Sequence, residues 1–213
     1  LLASGNITSE QLLRQLDSLV AQIARVAEVA SSRPKLTTAA QVMASIAPVR
    51  QALPVPPLPA VEARQQLFAF DQHNTGKKQH LAKLLNWALH DVLAQYSNTV
   101  VFGEDVGKKG GVYGVTQHLV HAFGSNRVIN TLLDEQSILG LAIGLAQQGF
   151  IAIPEIQFLA YVHNAEDQIR GEAATLPFFS NGQYHNAMVI RIAGLAYQRG
   201  FGGHFHNDNS FAV

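Results

Sequence analysis

Cysteine is absent from the 213 residues of this chain. Disulfide frameworks, zinc ribbons and catalysis by a thiol are therefore excluded. Charge is scarce as well, since charged residues make up 14% of the sequence, against about a quarter in an average domain. Lysine plus arginine number 15 and aspartate plus glutamate number 15, so the formal net charge is zero. Such a chain lacks the electrostatic footprint of a protein that binds nucleic acid or an anionic membrane surface.

Long apolar runs and a basic leader are also missing. No stretch approaches the ~18 apolar residues of a membrane-spanning helix, and we expect neither a membrane segment nor a signal peptide, but a cytoplasmic protein. Hydrophobic residues nevertheless make up 47% of the chain and mean hydropathy is +0.08, which excludes a disordered chain. A sequence with so little charge is expected to cover part of its surface with another chain.

The first 47 residues are predicted to be helical. Thr8 and Gln11 have the spacing of a capping box, which begins a helix by pairing side chains with free backbone N–H groups. Apolar residues then recur at intervals of three and four, the pattern of an amphipathic helix that runs to about Ala30. A second short helical pattern covers residues 38–46. The apolar residues that form this pattern are Leu12, Leu16, Leu19, Ile23 and Val26.

A cluster of prolines follows this helical segment. Residues 48–59 hold Pro48, Pro54, Pro56, Pro57 and Pro59, most of the eight prolines of the chain. Proline fixes φ and favours extended, solvated backbone. We therefore predict a stiff linker over residues 48–76, between a helical segment at 1–47 and a domain at 77–213.

The second part of the chain alternates between helical and extended patterns. Short apolar runs typical of buried strands are separated by helical periodicity, which indicates βαβ units. The predicted fold class is therefore α/β, with a doubly wound, mainly parallel sheet. The predicted strands cover 99–102, 127–132, 151–158 and 187–192, and the predicted helices cover 78–95, 115–123, 134–148 and 165–175.

Polar side chains cluster where the predicted strands end, which is where ligands bind in an open parallel sheet. Asp134 and Glu135 follow one strand and begin the next helix, so they either cap that helix or belong to a site. Glu155 and Gln157 share a face of the next strand. A buried Glu155 needs a partner, so this strand end is either part of a polar network or lines a cavity.

A glycine-rich stretch near the C-terminus carries two histidines. Gly200, Gly202 and Gly203 precede His204 and His206. Three interpretations of this loop stay open: a metal site, an acid–base group, or ordinary loop polarity. Since no third ligand lies nearby in the sequence, we assign no metal ligand to this chain.

Several short segments share their order and spacing with one enzyme family. They are Gly103-Glu104-Asp105-Val106-Gly107, Gly110-Gly111-Val112-Tyr113, Leu133-Asp134-Glu135-Gln136, Glu155-Ile156-Gln157-Phe158, Asp167-Gln168-Ile169, Glu172-Ala173-Ala174 and His206. Together they resemble the β part of thiamine-diphosphate-dependent 2-oxo acid dehydrogenases, the E1 component of pyruvate and branched-chain complexes. The resemblance covers about residues 98–213.

The resemblance implies the pyrimidine-binding half of a thiamine diphosphate site. Glu135 matches the glutamate that binds N1′ of the aminopyrimidine, where a carboxylate favours the imino tautomer that activates the cofactor. Leu133 matches a residue that contacts the pyrimidine. Gln157 matches the amide of the pyrimidine pocket and Tyr161 its stacking aromatic ring. His206 matches the active-site histidine, which exchanges protons with the substrate or the lipoyl arm.

The same resemblance implies partners. The Gly-Asp-Gly motif that binds Mg²⁺ and diphosphate does not occur in this sequence, which places those groups on the α part of the enzyme. Residues 1–47 resemble the tail of the α part in members whose α and β parts form one polypeptide. Independently of the resemblance, Gly140 and Gly144 give one helix a small-residue face, which suits close packing within the chain or across a subunit boundary. We expect pairing with copies of the chain, as a homo-oligomer, or with the α part. The chain ends soon after His206, so we expect it to be inactive by itself.

The function expected from the resemblance is oxidative decarboxylation of a 2-oxo acid and transfer of the acyl group to lipoamide on the E2 acyltransferase. Two alternatives remain. In the first, the chain is part of another transketolase-like thiamine enzyme, one that cleaves acetoin or a ketose. In the second, it is a non-catalytic interaction module that retains the fold.

Overall fold

The computed structural model describes residues 2, 4–46 and 54–194. The chain divides into two compact units, residues 1–44 and 45–213. The first unit contains helix α1 (Ser9–Ser32) and the start of helix α2 (Ala39–Ile46). The helices of the second unit are α3 (Val61–Leu67), α4 (Leu81–Gln95), α5 (Leu119–Phe123), α6 (Glu135–Gln147) and α7 (Leu176–Phe179). Its strands are β1 (Thr99–Gly103), β2 (Val128–Asn130), β3 (Ile151–Ile156) and β4 (Arg191–Ile192).

Helix α1 begins as the sequence predicts. The Thr8 side chain accepts from the Gln11 backbone N–H at 3.2 Å, and the Gln11 side chain accepts from the Thr8 N–H at 2.9 Å. Two N–H groups that the first turn leaves without helical partners are thereby satisfied. None of the residues of α1 is buried. Its apolar stripe, which includes Leu16 and Ile23, is exposed in the described part of the chain.

The second unit is built on a four-stranded sheet with the order β2-β1-β3-β4, in which every pairing is parallel. Strand β1 is central and buried along its whole length. Val101 faces a cluster with Leu93 of α4 and Leu119 of α5, whereas its neighbour Phe102 faces a cluster with Leu139 of α6. Helices therefore cover both faces, which confirms the predicted α/β class and explains why β1 is apolar at consecutive positions.

Several predicted elements take a different form. The helix predicted at 165–175 is a π-helical turn over Gln168–Ala173, and a 3₁₀ segment, Leu159–Ala165, precedes it. Helix α5 begins later than predicted, at Leu119, because His118 adopts a left-handed φ of 67°. Of the strand predicted at 187–192, only the two residues of β4 form a ladder, with one isolated bridge at Met188.

Part of the predicted linker is folded. Residues 61–74 form α3 and a 3₁₀ turn, and Phe68 and Asp71 are buried. Asp71 forms an ion pair of 2.6 Å with Lys83 and accepts from the Trp87 indole N–H at 3.0 Å. The proline pattern therefore marks extended backbone but not the end of the packed structure, because one apolar and one acidic side chain attach this segment to α4.

None of the described helices combines the length and the apolar character that crossing a membrane requires.

Candidate functional site

The polar side chains predicted at the strand ends lie at the carboxyl edge of the sheet. Strands β1, β2 and β3 run parallel, so the segments that follow them all begin at this edge. They are the glycine-rich loop (residues 103–114), residues 131–135 and residues 157–161. In an open parallel sheet, loops and helix N-termini that converge at this edge form the ligand site.

Glu135 is the first residue of α6 and is only 7% exposed. Its Oε2 accepts a hydrogen bond of 3.2 Å from the Asn164 side-chain amide. Asp134 before it is the N-cap residue with extended backbone. The helix N-terminus stabilises negative charge by about 0.3–1 kcal/mol, and burial brings the carboxylate out of bulk water. Such a carboxylate is suited to accept from an N–H group of a bound ligand.

Two exposed leucines precede this carboxylate. Leu132 is 86% exposed and Leu133 is 69% exposed. Large apolar side chains at a ligand edge are suited to contact a flat ring or a second protein surface. Leu133, which the resemblance assigns to the pyrimidine pocket, therefore lies at the carboxyl edge of the sheet and is accessible.

Gln157 and Tyr161 follow β3 at the same edge, and both are half-buried. Tyr161 packs against the core cluster under α6 and lies edge-on to Phe158, with ring centroids 5.9 Å apart. Anchored in this way, the aromatic ring is held in one orientation, which a stacking residue requires. An amide, an aromatic ring and the Glu135 carboxylate are the groups that fit an aminopyrimidine, because it offers N–H groups, ring nitrogens and a flat face.

Glu155 is the buried residue of this strand end, and the network interpretation is the one that the structure supports. It is 2% exposed, and its Oε2 lies 2.7 Å from Nη2 of Arg191. Burial raises the pKa of Glu155, opposed by the nearby Arg191 charge and by the Val112 backbone N–H. Arg191 was missed in the sequence because it lies far along the chain, and only the β3–β4 register brings it to Glu155.

Two further residues near Glu135 were given no role from the sequence. Asn164 belongs to the 3₁₀ segment after β3, and no local pattern indicates that it donates to a carboxylate on another helix. Glu104 lies in the glycine-rich loop, in one of the motifs that carry the family resemblance. Its pKa is raised, first by burial and then by the charges of Asp105 and Glu135. Glu104 is thus within electrostatic reach of Glu135.

The histidine loop lies outside the described residues. His204, His206 and the glycines before them belong to residues 195–213, so their predicted roles remain predictions. Within the described ranges, no group of three or more histidine, aspartate or glutamate side chains is arranged to hold a metal ion.

Comparison with known proteins finds a matching family for the region that contains the candidate site. Residues 77–177 match the family described as "Transketolase, pyrimidine binding domain". The chain is 43% identical over 136 residues to "2-oxoisovalerate dehydrogenase subunit beta 2, mitochondrial" of Arabidopsis thaliana, which covers 63% of this chain and 37% of the relative. It is 40% identical over 132 residues to "Pyruvate dehydrogenase E1 component subunit beta" of Staphylococcus epidermidis, covering 62% of this chain and 38% of the relative.

A third relative, "3-methyl-2-oxobutanoate dehydrogenase subunit beta" of Mycobacterium tuberculosis, is 36% identical over 130 residues, covering 61% of this chain and 36% of the relative. The chain thus spans less than two fifths of the length of each of these relatives. The matched family segment includes β1 to β3, the glycine-rich loop and Glu135. Residues 77–177 of this chain are similar to the transketolase-type pyrimidine-binding domain, and over this region the chain is also similar to beta subunits of 2-oxo acid dehydrogenases.

Proposed function

We propose that this chain supplies the pyrimidine half of a thiamine diphosphate site in the E1 component of a 2-oxo acid dehydrogenase complex. One observation carries the proposal. A buried carboxylate, Glu135, begins a helix at the carboxyl edge of the sheet, within a segment similar to pyrimidine-binding domains. The names of the relatives include both branched-chain and pyruvate enzymes, so the proposed substrate class is 2-oxo acids of either kind.

Each site residue has a proposed task. Thiamine diphosphate, when bound, supplies the carbon nucleophile that decarboxylates a 2-oxo acid. Glu135 accepts from, and shares a proton with, N1′ of the aminopyrimidine ring. Gln157 hydrogen-bonds the same ring, Tyr161 stacks on it, and Leu133 contacts its edge. Their half-buried or accessible positions at one edge support these tasks.

His206 is proposed to exchange protons during acyl transfer to lipoamide. An imidazole with an ordinary pKa near ~6.5 is suited to this task at neutral pH. The only support for this role is the order of the motif in the sequence, since the loop lies outside the described residues.

The remaining half of the site is proposed to come from a partner. The α part of E1 holds Mg²⁺ and the diphosphate, and residues 1–47 are the tail of such a part in a fused polypeptide. The E2 lipoyl acyltransferase accepts the acyl group. Gly140 and Gly144 are exposed on α6, and an added Cβ at either one meets nothing within 4 Å. This open face supports the proposed homo-oligomer.

The compartment also stays a prediction. Relatives include proteins named as mitochondrial and proteins from bacteria. The proposed compartment is the cytoplasm.

The test is a titration of the whole chain with thiamine diphosphate, followed by backbone amide resonances. We expect saturable shifts at residues 133–135 and 157–161, and weaker binding by Glu135→Gln. The matched control is Glu62→Gln, because Glu62 is an exposed glutamate in the first turn of α3. Absence of shifts at both segments, or equal binding by the two variants, overturns the proposal.

A further inference from the structure

Glu155 stands where three segments meet at the carboxyl edge of the sheet. In the β1–β3 ladder it is paired with Gly103, and in the β3–β4 ladder it is paired with Arg191. Gly103 leads directly into the glycine-rich loop. A Cβ added at Gly103 would lie 2.7 Å from the Glu155 backbone oxygen, so there is no room for a side chain between β1 and β3 at this point.

The Glu155 side chain also reaches the far part of the glycine-rich loop. Its Oε1 lies 3.5 Å from the Val112 backbone N–H, which donates to it. Gly111 has a left-handed φ of 66°, and a Cβ there meets Thr116 Oγ1 at 2.7 Å and Glu155 Oε1 at 3.1 Å. The loop therefore lies directly against the carboxylate, and glycine is needed at position 111 both for conformation and for space.

Arg191 fixes the other oxygen of the same carboxylate. Its Nη2 lies 2.7 Å from Oε2, with side-chain exposures of 16% for Arg191 and 3% for Glu155. Burial lowers the pKa of Arg191, and the Glu155 charge opposes this. The ion pair thus places one carboxylate oxygen at the Arg191 cation, while the other, Oε1, lies at the loop.

The near end of the loop carries Glu104, whose pKa is raised in part by the charge of Glu135. Within the loop, Gly111 N–H donates to the Asp105 carbonyl at 3.0 Å and Thr116 N–H donates to the Gly110 carbonyl at 2.9 Å. These internal bonds shape the loop, but they do not attach it to the sheet. Two side-chain contacts attach it: the Gly107 N–H donates to Asn130 Oδ1 of β2 at 2.7 Å, and the Val112 N–H donates to Glu155 Oε1.

We propose that the Glu155–Arg191 ion pair is a positioning element that fixes the far part of the glycine-rich loop, residues 110–114, at the carboxyl edge of the sheet. The inference rests on the proposed function for the meaning of that edge. Its structural content, the attachment of the loop, is independent of any ligand.

A positioning role and a purely stabilising role predict different behaviour for paired substitutions. Removing one partner of a buried ion pair leaves an unpaired charge and is strongly destabilising, whereas replacing both by apolar residues of similar volume is often neutral for stability. The variant Glu155→Leu/Arg191→Met is therefore expected to unfold at nearly the temperature of the parent chain. It nevertheless lacks the oxygen that holds the loop.

The experiment measures amide hydrogen exchange of the whole chain at Gly111, Val112 and Thr116, with Ile153 of β3 as internal reference. In the double variant we expect the three loop amides to exchange at least about fivefold faster relative to Ile153, since local opening governs their protection. Unchanged loop exchange in the folded double variant overturns the proposal.

If the double variant fails to fold, the Arg191 series decides. Arg191→Lys retains the charge and is expected to keep parent-like loop exchange, whereas Arg191→Gln is expected to accelerate it. Equal exchange in these two variants overturns the proposal. Failure of the proposed function has a different appearance: thiamine diphosphate then shifts no resonance of the parent chain, while the effect of the ion pair on loop exchange persists.

Discussion

Two glutamates at the same edge of the sheet, Glu135 and Glu155, are buried in contrasting ways. Glu155 faces the guanidinium of Arg191 and a loop N–H group. Glu135 begins a helix and accepts from the neutral amide of Asn164. Among the ion pairs of residues 54–194, none involves Glu135. A carboxylate neutralised by a built-in cation is committed to the fold, whereas one stabilised by a helix N-terminus keeps its charge for an incoming N–H group.

The largest expected effect concerns Glu155 and its dependence on Arg191. Arg191→Met leaves the buried Glu155 without its cation, and the free energy of unfolding should fall by about 3–5 kcal/mol. Chemical denaturation followed by circular dichroism measures the loss. The control is Arg170→Met, since Arg170 is exposed. Equal stability of the two variants contradicts the view that Glu155 depends on Arg191.

The second effect concerns the other carboxylate. In the enzyme assembled with its α part, Glu135→Gln keeps the side-chain shape but removes the charge proposed to act on the aminopyrimidine. The rate of decarboxylation should fall by about two orders of magnitude or more, the scale of positioned acid–base catalysis. An assay with an artificial electron acceptor measures it. Activity near that of the parent enzyme, with Glu62→Gln as control, refutes the role given to Glu135.

The sequence indicates both of these glutamates but neither of their partners. Glu135 is indicated by its place between a strand and a helix, and Glu155 by the need of a buried carboxylate for a partner. The identity of each partner was not predictable. Arg191 reaches Glu155 only through the register of β4. Asn164 reaches Glu135 from a 3₁₀ segment, and it lies between the predicted strand at 151–158 and the predicted helix at 165–175.

The fold, too, is predictable only where residues close in sequence determine it. Local patterns such as the Thr8 capping box and the apolar run of β1 predict elements correctly, because neighbours in sequence determine them. Non-local packing determines the rest. The proline cluster suggested a linker to residue 76, but Phe68 and Asp71 are buried by contacts with α4. The π-helical turn at Gln168–Ala173 has no sequence signature that separates it from an ordinary helix.

A smaller effect tests whether the amide partner of Glu135 matters for the fold. Asn164→Ala removes one hydrogen bond of 3.2 Å to a carboxylate that retains its helix N-terminus. The free energy of unfolding should fall by about 1 kcal/mol or less, the net value of one such bond. Denaturation of this variant beside Arg191→Met measures the contrast. A loss as large as that of Arg191→Met shows that Glu135, too, is committed to the fold.

The smallest effect is electrostatic and sharpens the comparison at Glu104. The pKa of Glu104 is raised from its ordinary value of 4.5, first by burial and then by the charges of Asp105 and Glu135, while Lys109 lowers it. Glu135→Gln should therefore lower the pKa of Glu104, and so should Asp105→Asn. Lys109→Met should raise it. The side-chain carboxyl resonance of Glu104, titrated through the acidic range, measures each change.

The linked stability has a definite sign. Because the folded-state pKa of Glu104 exceeds its unfolded value, the folded chain binds more protons, and its contribution to stability is present below pH 4.5 and lost as pH rises through the folded pKa. Glu135→Gln should reduce that loss, because the repelling charge is gone. If Glu62→Gln shifts the Glu104 titration as much as Glu135→Gln does, Glu104 and Glu135 are not coupled. The electrostatic link between the glycine-rich loop and Glu135 then does not exist.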